Sequence, residues 1–249
     1  MSSESPIGVD IGGSGIKVAT VDLVKGALAG DRVRVATPAP ATPAAIAAVV
    51  ASTVGSVGGT GTVGLTMPSV VVDGVVKTAS NIDPSWIGTD AVALFEQATS
   101  RRVAVVNDAD AAGMAEMRYG AGMGHDGVVV LITLGTGIGS AVFFKNVLVP
   151  NTELGHLRLH HRDAEEWAAE SVREREKLSW TEWAHRLSSY LEHLERLLYP
   201  ELFLIGGGVS GKSDKFVPLL TCETPIKVAQ LHNDAGIVGA AMVAPVEAT

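Results

Sequence analysis

The chain has 249 residues, with 19 Lys and Arg against 27 Asp and Glu, giving a formal net charge of −8 and a pI of about 5.3. That length allows one large domain or two small ones, and a composition of 47% hydrophobic and 18% charged residues fills a core and excludes wholesale disorder. The acidic balance excludes a general nucleic-acid binder, which needs a broad cationic face, and the single cysteine, Cys222, excludes an internal disulfide and points to a reducing cytoplasm.

The first six residues lack the basic and apolar regions of a signal peptide. A strand over 6–11, a glycine turn over 12–15, a strand over 16–22 and a third stretch ending near 34–37 read as an antiparallel meander. Pro43, in the favoured first-turn position, opens a helix to about Val54. The uncharged run over 35–72 is broken by Pro38, Pro40, Pro43 and Pro68, so it spans no membrane. A short strand over 63–66 precedes an Asp73-Gly74 hairpin over 70–76. A helix over 90–99 follows, then a buried strand over 103–106 with Asn107-Asp108 at its end, then a helix over 109–117.

The second uncharged run, 127–144, is interrupted by Gly135, Gly137 and Gly139 and is rich in β-branched residues. It reads as two buried strands, 128–133 and 138–144, rather than a membrane helix. Helices are expected over 165–177 and 180–198. In the second, Ser179 and Glu182 form a capping box, and Trp183, Leu187, Tyr190, Leu191, Leu194 and Leu198 recur at helical spacing as core. A strand over 202–205, a short helix over 215–220, a strand over 226–231 and a helix over 235–243 close the chain. Meanders mixed with βα units indicate an α/β or α+β protein. No tandem repeat is visible, although strand, glycine turn, strand occurs twice.

Three glycine-rich turns carry chemistry. In the first, Gly12, Gly13, Ser14 and Gly15 let backbone N–H groups converge on a phosphate, with Lys17 just beyond, while Asp10 at the strand end suits a hydrated Mg²⁺. An ordinary tight hairpin is the competing reading. The second turn, with Thr133, Gly135, Thr136 and Gly137, repeats the arrangement and suggests two phosphate loops facing each other. The third, from Gly206, Gly207 and Gly208 to Lys212 and Ser213, satisfies the P-loop string GxxxxGK[ST]. Only 36 residues follow Ser213, and the expected acidic strand is missing, so a P-loop NTPase is the lesser alternative. Lys212 and Lys215, near a helix start, still suit an anion.

Asp108, between strand end and helix start, can accept a proton from a substrate hydroxyl, as phosphoryl transfer requires. The competing reading is that Asp108 or Asp110 merely caps the helix. Glu153 and His156, three residues apart beside Gly155, suit adjacent hydroxyls of a polyol. A metal site of Glu153, His156, His160 and His161 competes, without a nearby cysteine.

These residues together resemble the ROK family of sugar kinases, within the group of sugar kinases, actin and Hsp70-type ATPases. The resemblance rests on Asp10-Ile11-Gly12-Gly13 with Lys17, Asn107-Asp108, the stretch 134–139, Glu153-Leu154-Gly155-His156 and Ile205-Gly206-Gly207-Gly208, in family order over about residues 6 to 244. The segments 80–86, 107–113 and 150–156 look most like its polyphosphate-using branch. The resemblance implies an α/β fold of two actin-like (ribonuclease H-like) domains around a cleft, 1–108 completed by the C-terminal helix 235–249, and 109–234. It implies a cytoplasmic, Mg²⁺-dependent glucokinase, usually a homodimer, that uses inorganic polyphosphate and ATP, with no nucleic-acid or membrane partner. Asp108 would be the base on the glucose 6-hydroxyl, and Asn81, Asn107, Glu153, His156 and Glu165 would hold the sugar. Lys17, Arg118 and Lys212 would meet the donor. The family's cysteine-rich zinc motif is absent after His156, so no zinc is expected and protein contacts must order the sugar loop. A strictly ATP-dependent ROK hexokinase acting on glucose or mannose is the nearest alternative. A sugar-responsive repressor would need a DNA-binding segment ahead of the first glycine turn, where only five residues precede Pro6.

Overall fold

The computed structural model describes residues 5–58, 61–80 and 82–245. In chain order the elements are β1 (Ile7–Ile11), β2 (Ile16–Asp22), β3 (Ala27–Leu28), β4 (Val33–Val35), α1 (Pro43–Ser56), β5 (Val63–Met67), β6 (Val71–Val72), β7 (Val75–Val76), α2 (Ala91–Thr99), β8 (Val103–Asn107) and α3 (Asp108–Tyr119). There follow β9 (Val128–Leu134), β10 (Ile138–Phe144), β11 (Val147–Val149), β12 (Arg158–Leu159), β13 (Arg162–Asp163), α4 (Glu165–Ala168), α5 (Glu170–Arg175), α6 (Trp180–Leu198), β14 (Leu202–Gly206), β15 (Ile226–Val228) and α7 (Ala235–Val243). The chain forms two compact units: one takes in residues up to Ala115 and those from Asp234 on, the other runs Glu116–Asn233.

The sheet of the first unit has the order β3-β2-β1-β5-β8, with β4 also on β2. β2 returns antiparallel to β1, whereas β5 and β8 run parallel to it. β5 is buried along its whole length, as expected for a parallel strand covered on both faces. Ile7, Val9, Ile11 and Leu65 pack with Ile46 and Val50 of α1 and Phe95 of α2. Gly8 points to the opposite face, since successive strand residues alternate. There it lies beside Gly64 on β5, and the pair forms a trough for the backbone of α7: a Cβ at Gly8 would overlap the Ile237 carbonyl, and one at Gly64 the Ala240 carbonyl. This close seating explains why α7 is built of Gly, Ala, Ile and Val with one Met.

The second unit repeats the plan. Its sheet order is β11-β10-β9-β14-β15, with β10 antiparallel and β14 parallel to β9 and β15 parallel to β14. The twice-occurring strand, glycine turn, strand is therefore β1–β2 in one sheet and β9–β10 in the other. The core joins β9 and β14 to α6 through Ile132, Phe203, Ile205, Trp183, Leu187 and Leu191. The Ser179–Glu182 capping box is present, and Trp183 is fully buried with its Nε1–H donating to the Ala168 carbonyl (2.9 Å).

Four elements depart from expectation. The helix expected over 165–177 is two, α4 and α5, because Ala169 is extended (φ −62, ψ 156) and Ser171 N–H donates to Gly135 of the second glycine turn (3.0 Å). The helix expected over 215–220 is replaced by 3₁₀ turns at Gly208–Lys215 and Val217–Leu219, with Pro218 inside the second. The last strand stops at Val228, three residues short of expectation. The third stretch of the opening meander is divided into β3 and β4, both on β2.

Gly8→Ala forces its methyl into the Ile237 carbonyl, so α7 must lift or β1 shift. Urea unfolding is expected to show a loss of about 1–3 kcal/mol, the range for overpacking. Wild-type stability in this variant would contradict the backbone-to-backbone seating of α7.

Candidate active site

Parallel pairing aligns Asp10 with Thr66 and Met67 with Asn107, so the C-terminal ends of β1, β5 and β8 share one sheet edge. Open α/β sheets take ligands at that edge. The Asp10 carboxylate accepts from Lys17 Nζ (2.8 Å) and from Thr66 Oγ1 (3.1 Å), and Thr66 Oγ1 accepts from Ile11 N–H (3.1 Å). It also rests on Gly236 at the start of α7, where a Cβ would come within 2.8 Å of the carboxyl carbon.

The first glycine turn is closed by Gly12 N–H donating to the Gly15 carbonyl (3.0 Å) and tied down by Thr37 Oγ1 donating to the Gly12 carbonyl (2.6 Å). Its tip, Gly13 and Ser14, is exposed. Arg34, which sequence reasoning passed over, lies across this turn: its Nη2 donates to the Ser14 carbonyl (3.4 Å), and a Cβ on Gly15 would sit 2.9 Å from its Nε. The register of β2 with β4 sets Arg34 directly opposite Lys17. That pairing was the available signal, but it depends on where the third stretch joins the sheet.

Asn107 is the buried cap of α3. Its Oδ1 accepts from Ala109 N–H (2.9 Å) and Asp110 N–H (3.1 Å), and its Nδ2 donates to the Ser69 carbonyl (3.2 Å). The capping role considered for Asp108 or Asp110 thus falls to Asn107, which leaves Asp108 half-buried as the first residue of the helix. Asp108 Oδ1 accepts from Ala109 N–H (2.8 Å), which fixes the orientation of its carboxylate. Arg118, at the other end of α3, donates from Nε to Tyr119 Oη (3.1 Å). Asn81 lies outside the described residues.

In the second unit, Gly135 N–H closes the second turn on the Gly137 carbonyl (3.1 Å), and Ser171 donates to both Gly135 (3.0 Å) and Thr136 (2.6 Å) carbonyls. Thr133 pairs across the sheet with Gly206. Gly207, at φ +84, presses on the backbone of Leu134, a position and conformation that exclude a side chain. The second and third turns are therefore neighbours at one end of this sheet. Gly208 leads into 3₁₀ turns with Lys212 outside helical geometry (φ −117, ψ 22), not into the helix a P-loop requires. Lys212 stays exposed, and Lys215 lies over the Trp180 ring (5.7 Å).

Glu153, His156 and Glu165 gather at the start of β10. Gly155 packs on the Ile138 carbonyl, Ser140 Oγ donates to the Thr152 carbonyl and accepts from Leu154 N–H (2.9 Å), and Glu165 Oε2 accepts from Ile138 N–H (3.2 Å). These are the protein contacts that order the loop. His156 Nδ1 lies 3.2 Å from Asp163 Oδ2, and its Nε2 lies 3.6 Å from Glu153 Oε2. The histidines do not form a metal cluster: His160 packs on Trp167 (ring centroids 4.3 Å), and among the described residues no group of three or more His, Cys, Asp or Glu is disposed to hold a metal ion.

Glu153 keeps 37% of its side chain exposed, yet the protein packed around the carboxyl raises it above the ordinary carboxylate value. The charge of Glu165 adds to this and His156 opposes it. Burial alone would lower the His156 imidazole, but the hydrogen bond to Asp163 and the charges of Glu165, Glu153 and Asp163 outweigh it, so His156 is raised. Asp163 is the second residue that sequence reasoning missed.

Residues 6–168 match the ROK family. Over 243 residues the chain is 50% identical to a polyphosphate glucokinase of Mycobacterium tuberculosis (strain CDC 1551 / Oshkosh), covering 97% of this chain and 92% of that protein. Among solved structures it is similar to the inorganic polyphosphate/ATP-glucomannokinase of Arthrobacter sp. strain KM, at 51% identity and a TM-score of 0.92 over 96% of this chain and 98% of that one. It is also similar to a ROK family glucokinase of Streptomyces griseus in complex with glucose and AMPPNP, at 28% identity and a TM-score of 0.84 over 97% and 99% of the two chains.

Proposed function

The chain belongs to the ROK family, and we propose that it is a glucokinase that transfers a phosphoryl group from inorganic polyphosphate, and also from ATP, to the 6-hydroxyl of glucose. The observation that carries the reading is 50% identity to a polyphosphate glucokinase over 97% of the chain, together with a carboxylate, Asp108, held at the first turn of a helix by a buried asparagine cap.

In the proposed step, Asp108 accepts the proton of the glucose 6-hydroxyl while that oxygen forms its bond to the terminal phosphorus. The bond from phosphorus to the bridging oxygen breaks, and the shortened polyphosphate, or ADP, leaves with the electron pair. A base of this kind contributes about 10²–10⁴-fold. Glu153, His156 and Glu165 take the remaining hydroxyls, with Asn81 and one amide hydrogen of Asn107. His156 Nε2 and the carboxylates offer acceptors and the asparagine amides offer donors, as a polyol demands.

The reading implies Mg²⁺, and Asp10 fits it. A carboxylate has about four lone-pair sites, and the bonds from Lys17 and Thr66 leave room for a metal-bound water. When bound, Mg²⁺ neutralises charge on the phosphates. The protein adds the amides of the Gly12–Gly15 and Gly135–Gly137 turns, the Gly206–Gly208 loop, Lys17 and Lys212. Arg34 supplies a guanidinium beside the first turn, suited to further phosphates of a long donor. A cytoplasmic homodimer belongs to the same proposal, supported by the family resemblance and the single cysteine, whose thiol burial pushes up to about 11. No helix among the described residues is long and apolar enough to cross a membrane.

Glucose 6-phosphate formation with Mg²⁺ and a single donor tests the reading. Turnover is expected with polyphosphate and with ATP, with mannose as a second acceptor to compare. Activity on ATP alone would leave an ATP-dependent hexokinase. Arg34→Ala is expected to raise the KM for polyphosphate about tenfold, the loss of one charge-assisted contact, and to leave the KM for glucose unchanged. An unchanged polyphosphate KM would remove Arg34 from the donor path.

A further inference from the structure

We propose that Asp163 is a positioning residue of the sugar site, holding His156 in the tautomer and orientation that present its Nε2 to a substrate hydroxyl. The proposal rests on the reading of His156 as a sugar-binding residue. A carboxylate only accepts hydrogen bonds, so at 3.2 Å from Asp163 Oδ2 the His156 Nδ1 is the nitrogen that carries the proton. In the neutral ring Nε2 is then the acceptor, and its 3.6 Å separation from Glu153 Oε2 is too long to consume it. It stays available to a hydroxyl that lies against the Glu153 carboxyl.

The backbone delivers Asp163 to this place by a purpose-shaped hairpin. Arg158 pairs with Asp163 and Leu159 with Arg162 across β12 and β13. The two residues between, His160 and His161, both lie in the left-handed region (φ 51 and φ 66). A two-residue turn of this kind ordinarily takes Asn-Gly, and residues kept in sparsely populated backbone regions persist where their surroundings over-determine them. The surroundings do so here. Arg158 Nη2 donates to the His161 carbonyl (2.7 Å), its Nη1 lies 3.4 Å from Asp163 Oδ1, and His160 packs on Trp167. One Asp163 oxygen thus faces Arg158 and the other faces His156. The charged groups facing His156 are Glu153 from its own turn, Asp163 from β13 and Glu165 from α4, which explains why the imidazole is raised despite burial.

Side-chain ¹⁵N NMR of the histidines, with steady-state kinetics, tests this. In the wild type the neutral His156 ring is expected to carry its proton on Nδ1 and to titrate above the ordinary histidine value. Asp163→Asn is expected to lower that midpoint and to raise the KM for glucose about tenfold, the value of one hydrogen bond, while the polyphosphate KM and the melting temperature hold. Asp163→Glu is expected to restore the midpoint. Finding the proton on Nε2 in the wild type would overturn the proposal without any variant. If His156→Ala weakens glucose but Asp163→Asn changes neither midpoint nor affinity, Asp163 has no positioning role. If His156→Ala leaves glucose affinity intact, the sugar-site reading fails, and the proposal fails with it.

Discussion

Parallel pairing of β1, β5 and β8 brings Asp10, Thr66 and Asn107 to one sheet edge, and the candidate site of the first unit follows from it. β1 is left by the glycine hairpin into β2, whereas β5 and β8, parallel strands that a tight hairpin cannot join, are left by a loop and by the start of α3. Asp10 stands before the first glycine turn, Thr66 braces its carboxylate, and Asn107 caps the helix that carries Asp108. The strands keep this register because α7 lies directly on Gly8 and Gly64, and Gly236 leaves room for the Asp10 carboxyl. Any side chain in that trough would move the edge that carries Asp10 and Asn107.

The second sheet reaches a comparable end by the same topology. β9 turns antiparallel into β10 through Gly135–Gly137, and β14 runs parallel to β9 and ends in Gly206. The difference lies in what is attached. In the first unit the edge carries Asp108 at a helix start and the Asp10 carboxylate braced by Lys17 and Thr66. In the second it carries a histidine among three carboxylates on a loop fixed by Ser140, Ile138 and Glu165. On the proposed reading, a chain with a net charge of −8 would meet a polyanion with local cations and backbone amides, Lys17 being held by Asp10 and Arg34 lying beside the glycine turn.

Much of this was legible in the sequence for a physical reason. Glycine turns between β-branched strands, a proline at a helix start and a capping box are decided within a few residues, and each stands where it was expected. The Asp108 position was legible for the same reason, since it lies where a buried strand meets a helix. Features set by distant contacts were not. The break at Ala169 exists because Gly135, over thirty residues earlier, takes the N–H of Ser171. The P-loop string at Gly206, already the lesser alternative on sequence, is set aside by the structure, since Gly207 serves close approach to Leu134 and the loop leads into 3₁₀ turns. Arg34 and Asp163 come to their places through strand register and a hairpin turn of two histidines, whose sequence suggested metal ligands instead.

Asp108→Asn tests most directly whether Asp108 is the base of a phosphoryl transfer to glucose, because the amide keeps the shape and the bond from Ala109 N–H while losing basicity. Steady-state turnover beside calorimetric glucose binding should show kcat reduced by about 10²–10⁴-fold, with glucose affinity within a few-fold of wild type and unfolding unchanged. Near-normal turnover in the folded variant would contradict the account and move the chemistry to another group.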